Sequence, residues 1–309
     1  MSRARVGIVG AGNVGASAAL LIARSGLADV ILSDIVEDMP QGKALDLAQM
    51  LAAEAVDGRV AGTNNVAELK DCDLVVVTAG IARKPGMSRE QLLDVNAKIV
   101  RDCVEPLKSA ANPPILLIVS NPLDVMTYLA MKVTGWGRRR VFGMAGVLDS
   151  GRMAAFVAMK LGVSMKDVRA MVMGSHGDSM VGLPRYTTVS GIPITELMSA
   201  EDVRQIVERT RNGGAEIVKL LKTGSAYYAP GASIAQMVES ILRDERRILP
   251  SAVYLQGEYG IKDVVVGVPA ILGAGGVEKV VELSLTADEK AQLVKSADIV
   301  RENCALLKV

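Results

Sequence analysis

Val6-Gly7-Ile8-Val9-Gly10-Ala11-Gly12-Asn13-Val14-Gly15 decides the fold. Its first four residues are a short apolar run of the kind a buried strand requires. The rest is G-x-G-x-x-G, leading into a helical pattern over 14–23. Glycines at this spacing are a weak signal alone, since a structural turn beside a surface aspartate reads the same way. Context sharpens it: the motif follows an expected strand, opens an expected helix, and precedes Asp34 by about 20 residues. The glycines permit a tight turn and let backbone approach a pyrophosphate, whose charge suits the positive helix N-terminus. Gly10, Ala11, Gly12, Asn13, Val14 and Gly15 are thus expected to cradle a dinucleotide. Asp34 accepts hydrogen bonds from ribose hydroxyls and repels a 2′-phosphate, which favours NAD over NADP.

Further along, strands and helices alternate. Apolar runs at 30–32, 59–61, 74–77 and 115–119 are expected strands, and patterns at 41–51, 89–110 and 124–133 expected helices. That alternation implies right-handed βαβ units, hence a Rossmann-type doubly wound parallel α/β sheet. After Val141-Phe142-Gly143 the pattern changes. A helix from about Asp149 leads to a strand at 168–173, helices at 202–221 and 233–243, strands at 253–255 and 264–268, and a charged helix from about Asp288. The division is placed near 146: a nucleotide-binding domain over 1–146 and a mixed α/β substrate domain over 147–309.

A chain of 309 residues exceeds the usual single core, which agrees with two domains. Net charge of +1 supplies no pull toward nucleic acid or anionic membrane. Apolar runs are interrupted well short of the ~20 residues a bilayer span needs, and the N-terminus enters the first strand without room for a leader. Cys72, Cys103 and Cys304 are odd in number and widely spaced, which argues against disulfides or a metal site. A cytoplasmic address is the simplest expectation, and helix faces richer in apolar residues than a core requires suggest self-association.

Three stretches carry chemistry. Arg83, Lys84 and Arg89 lie around Pro85-Gly86 after the fourth expected strand, where open α/β sheets bind ligands. They form either a solvated lid or a closing loop whose guanidinium forks engage an anionic substrate. Asn121, before Pro122, is either an ordinary turn residue or a donor to a substrate oxygen. His176, the only histidine, stands in Gly174-Ser175-His176-Gly177-Asp178 and is the one side chain with an unperturbed pKa near neutrality. Asp149 and Arg152 share a helix face, either as a plain ion pair or with separate tasks. In the second case Asp149 orients the imidazole and Arg152 grips a substrate carboxylate.

Together, Gly-Ala-Gly-Asn-Val-Gly, Arg-Lys-Pro-Gly-Met-x-Arg, Ser-Asn-Pro-Leu-Asp, Gly-Val-Leu-Asp-x-x-Arg and Gly-x-His-Gly-Asp resemble the lactate/malate dehydrogenase family along essentially the whole chain. Within that family the chain resembles the bacterial malate dehydrogenases of lactate-dehydrogenase-like type. The resemblance implies NAD-dependent hydride transfer between malate and oxaloacetate, a step of the tricarboxylic acid cycle, with His176 as acid–base group paired to Asp149. It further implies that Arg152 binds the carboxylate beside the reacting carbon, Arg89 polarises the carbonyl, and Asn121 bonds the reacting oxygen. Asn96, Val119, Ser120 and Asn121 would seat the cofactor, without a metal. Arg83 matches the position where arginine suits a second carboxylate and glutamine is usual in lactate dehydrogenases. A homotetramer is expected ahead of a dimer. The alternatives are an L-lactate dehydrogenase, disfavoured by Arg83, an NAD-dependent glycoside hydrolase, for which the metal ligands are poor, and a non-catalytic NAD-binding module.

Overall fold

The computed structural model describes residues 3–81 and 88–307. Its first part runs β1 (Ala4–Val9), α1 (Asn13–Arg24), β2 (Ala28–Ser33), α2 (Met39–Ala53), β3 (Val60–Thr63), β4 (Leu74–Val77), α3 (Arg89–Val104), β5 (Ile115–Ile118), α4 (Leu123–Thr134) and β6 (Val141–Gly143). These strands are parallel neighbours in the order β3-β2-β1-β4-β5-β6. The order reverses between β1 and β4, and such a reversal leaves a crevice at the strands' carboxyl ends. Leu74–Val77 and Ile115–Ile118 are buried at every residue. Helices on both faces of a parallel sheet produce continuous apolar runs instead of alternation, which is what the sequence shows there.

The second part runs α5 (Gly146–Leu161), β7 (Val168–Arg169), β8 (Val172–Gly174), β9 (Met180–Gly182), β10 (Thr188–Val189), β11 (Ile192–Pro193), α6 (Ile194–Leu197), α7 (Ala200–Leu221), α8 (Tyr228–Leu242), β12 (Arg247–Gln256), β13 (Lys262–Gly273), β14 (Gly276–Val280) and α9 (Ala287–Ala305). The main sheet does not stop at β6. It continues antiparallel through β12, β13, β8 and β9, joined where Gly143 pairs with Ala252. Strands β7, β10 and β11 form a separate small sheet.

Several expectations about elements need correction. The helix expected over 89–110 ends at Val104 and tightens into a 3-10 turn over Glu105–Ser109. Pro106 has no N–H for the helical ladder, which accounts for the break. The strand expected over 168–173 is two strands in two sheets, with Leu183 N–H bonding the Met171 carbonyl between them. The helix expected from Asp149 begins at Gly146 and places Asp149 inside its first turn.

Candidate active site

The glycine turn performs three distinct tasks. Gly10 has φ of +98°, and a Cβ there would meet Thr78 Oγ1 at 2.7 Å and Ala79 N at 2.8 Å. A Cβ at Gly15 would overlap the Gly10 carbonyl oxygen, so α1 packs onto its strand only with glycine there. Gly12, the N-cap of α1, faces open space and supplies no side-chain cap. The first-turn N–H groups of α1 are thereby left for an anion.

Asp34 follows the end of β2 beside this turn and accepts the Ala11 N–H at 2.7 Å and the Val36 N–H at 3.1 Å. Each carboxylate oxygen keeps further acceptor capacity, so the residue braces the turn and still offers oxygens to a ribose. Lys43 Nζ donates to the Ala11 carbonyl at 2.7 Å and adds a cation to the same turn. Sequence reading had no signal for Lys43, which lies mid-helix with no motif around it. The residues fit a dinucleotide: an open cradle at Gly12, a helix N-terminus and a carboxylate at the ribose position.

Across the reversal point, the end of β5 is tied to the end of β4. Ser120 Oγ donates to the Ala79 carbonyl at 2.5 Å, and Val119 N–H to the Val77 carbonyl at 2.9 Å. Buried Asn96 of α3 accepts the Ile81 N–H at 2.8 Å and donates to the Ile81 and Asn121 carbonyls at 3.1 and 2.7 Å. Its amide is thus committed to backbone, bracing the rim of the crevice. Asn121 itself is exposed there. Arg83 and Lys84 lie outside the described residues, as does the side chain of Arg89, whose backbone opens α3. That helix starts at a capping box in which Ser88 and Gln91 each bond the other's backbone N–H.

His176 follows β8 in a turn with positive φ at both flanking glycines, Gly174 (+80°) and Gly177 (+107°). Its Nδ1 lies 2.9 Å from Asp149 Oδ2, while Asp149 Oδ1 accepts Arg152 Nη1 at 3.1 Å. Asp149 is buried, yet 21% of the His176 side chain remains exposed. With Nδ1 held by the carboxylate, Nε2 is the nitrogen left to exchange a proton. Burial pulls the imidazole pKa down, but the charge and hydrogen bond of Asp149, helped by Asp124, overcome burial and the opposing Arg152 charge. The net shift is upward from 6.5. A cavity of about 750 Å³ lies against this turn, with Leu93, Pro122, Asp124, His176, Ser296 and Asn303 in its walls. The backbone of the turn is held by Ser296 Oγ and Asp124 Oδ2, two partners that sequence reading missed.

A charge-paired imidazole set beyond a nucleotide crevice on one sheet is the mark of an NAD-dependent dehydrogenase, and that is the class this architecture defines. Profiles described as lactate/malate dehydrogenase, NAD binding domain, and lactate/malate dehydrogenase, alpha/beta C-terminal domain, match residues 4–143 and 146–308. A malate dehydrogenase of Roseiflexus castenholzii is 54% identical over 306 residues, covering 99% of each chain. The solved malate dehydrogenase of Salinibacter ruber superposes with a TM-score of 0.94 at 49% identity, over 98% of this chain and 97% of that one. A Cryptosporidium parvum lactate dehydrogenase, solved with lactic acid and nicotinamide adenine dinucleotide, gives 0.95 at 37% identity, over 100% and 99%. The chain belongs to the lactate/malate dehydrogenase family.

Proposed function

We propose that this chain is an NAD-dependent malate dehydrogenase, interconverting (S)-malate and oxaloacetate. The observation that carries the reading is the Asp149 carboxylate shared between the His176 ring and Arg152. It combines a proton-exchanging group with a cation one helical turn away. When bound, the nicotinamide ring accepts the two electrons and one hydrogen that leave the alcohol carbon.

In the oxidative direction His176 Nε2 takes the hydroxyl proton, and Asp149 balances the imidazolium that forms. In the reductive direction the same nitrogen returns it. Arg152 receives the carboxylate beside the reacting carbon, and Asn121 donates to the reacting oxygen. Arg89 polarises the carbonyl and Arg83 pairs with the distal carboxylate. Pyruvate leaves a desolvated Arg83 unpaired, at a cost of roughly 3–5 kcal/mol. That corresponds to about 10²–10³ or more in preference for the diacid. Asp34 and the 10–15 turn bind the adenosine ribose and pyrophosphate, and Asn96, Val119 and Ser120 shape the nicotinamide end.

The reading includes a place in the tricarboxylic acid cycle, a cytoplasmic address and a homotetramer, with 1–146 and 147–309 as nucleotide and substrate domains. Its support is three free cysteines and the exposed apolar side chains of Met159, Leu220 and Tyr228. Among the described residues no helix is long and apolar enough to cross a membrane. Oxidation of NADH with oxaloacetate, with pyruvate and with no acceptor tests the activity, and sedimentation tests the assembly. Faster turnover of pyruvate than of oxaloacetate would refute the substrate assignment.

A further inference from the structure

The turn carrying His176 is held from behind as well as at its ring. The His176 N–H donates to Asp124 Oδ2 at 3.0 Å, across 52 residues of sequence. Asp124 lies in the first turn of α4, three residues after Asn121, and is 3% exposed. Its Oδ1 is buried without a hydrogen-bond partner among the described residues. A buried carboxylate with one oxygen uncompensated is costly to ionise. Burial accordingly pushes the Asp124 carboxyl up to about 7, against the pull of the His176 N–H and ring. An asparagine would accept the same N–H without that cost. What aspartate adds, once ionised as pH rises through about 7, is a charge close to the imidazole.

We propose that Asp124 is a positioning residue for His176, a second carboxyl that fixes the backbone of the proton-transfer turn and sets its charge toward the ring alongside Asp149. The proposal rests on the reading of His176 as the proton-exchanging group. Oδ2 ties the turn to α4, so the ring and the Asn121 rim share one support. The charged and titratable groups around the pair come from several elements. Asp149 and Arg152 belong to α5, and Cys304 of α9 feels the Asp124 charge. Glu90 of α3, Lys295 of α9, Arg211 of α7 and Asp178 of the turn itself stand in the cavity wall.

The chain has one histidine, so the imidazole proton resonance titrates as a single unambiguous NMR signal. In the full chain, Asp124→Asn is expected to lower that midpoint by about half a unit to one unit. NADH affinity should stay at the parent value, and the alkaline limb of oxaloacetate reduction should move down with the midpoint. An imidazole midpoint unchanged from the parent overturns the proposal. Asp124→Ser drops the charge with a smaller side chain, and it supplies the same measurement where the amide variant does not fold. The NMR midpoint needs no turnover, so failure of the malate assignment is distinguishable from failure of this one.

Discussion

Arg152 and Asp149, one turn apart on α5, hold each other at 3.1 Å, and Asp149 simultaneously holds His176. Arg152 Nε is buried with no partner among the described residues, so part of the guanidinium is unsatisfied as it stands. In the role proposed for Arg152, a substrate carboxylate supplies what is missing. Arg152→Gln should therefore cut kcat/KM for oxaloacetate by about 10² or more, since losing one partner of a buried pair costs several kcal/mol. NADH affinity, measured by fluorescence titration, should hold. A weakened NADH complex with unchanged turnover would place Arg152 elsewhere in function.

The upward shift of His176 has opposite consequences for the two directions. With His176 as the proposed base, malate oxidation needs neutral imidazole, so its rate should climb with pH through a midpoint above 6.5. Oxaloacetate reduction needs imidazolium and should decline through the same midpoint. The stability that proton binding at His176 contributes is fully present below the unfolded value and is lost as pH rises through the folded one. His176→Asn should remove that slope from thermal unfolding curves. It should also lower turnover by ~10²–10⁴ while NADH still binds.

Gly12 and Gly15, three residues apart, should respond differently to the same methyl group. Gly12 has ordinary φ of −65° and open space at its Cβ, so Gly12→Ala should keep the parent's Tm. The added methyl lies where the pyrophosphate approaches, and NADH Kd should weaken by about tenfold or more. At Gly15 the methyl collides with the Gly10 carbonyl. Gly15→Ala should therefore cost about 1–3 kcal/mol of stability before any cofactor is added. Equal loss of Tm in both variants would contradict the assigned division of tasks.

Arg83→Gln should lower kcat/KM for oxaloacetate at least tenfold and raise it for pyruvate, because the distal carboxylate loses its cation. Competition assays with both acids present read this directly. Preference unchanged from the parent would take Arg83 out of the specificity role.

The parallel half was legible because strands buried on both faces have to be apolar throughout, as 74–77 and 115–118 are. In the other half, β12 was expected over 253–255 and extends over Arg247–Gln256. Pro250 and Ser251 interrupt its apolar run, and the pairing of Pro250 with Pro269 has no local trace. The ring contact was legible through the Gly-Val-Leu-Asp-x-x-Arg resemblance, which picks Asp149 out from Asp124, Asp202 and Asp288 at other expected helix starts. The backbone contacts from Asp124 and Ser296 did not follow. An N–H has no sequence identity, and its partners stand 52 and 121 residues away.

The seam at Gly143 and Ala252 has a mechanical consequence. The crevice floor and the wall bearing the acid–base pair lie along one continuous sheet. Reach between the reacting groups is inherited from interstrand spacing, roughly 4.8 Å per strand.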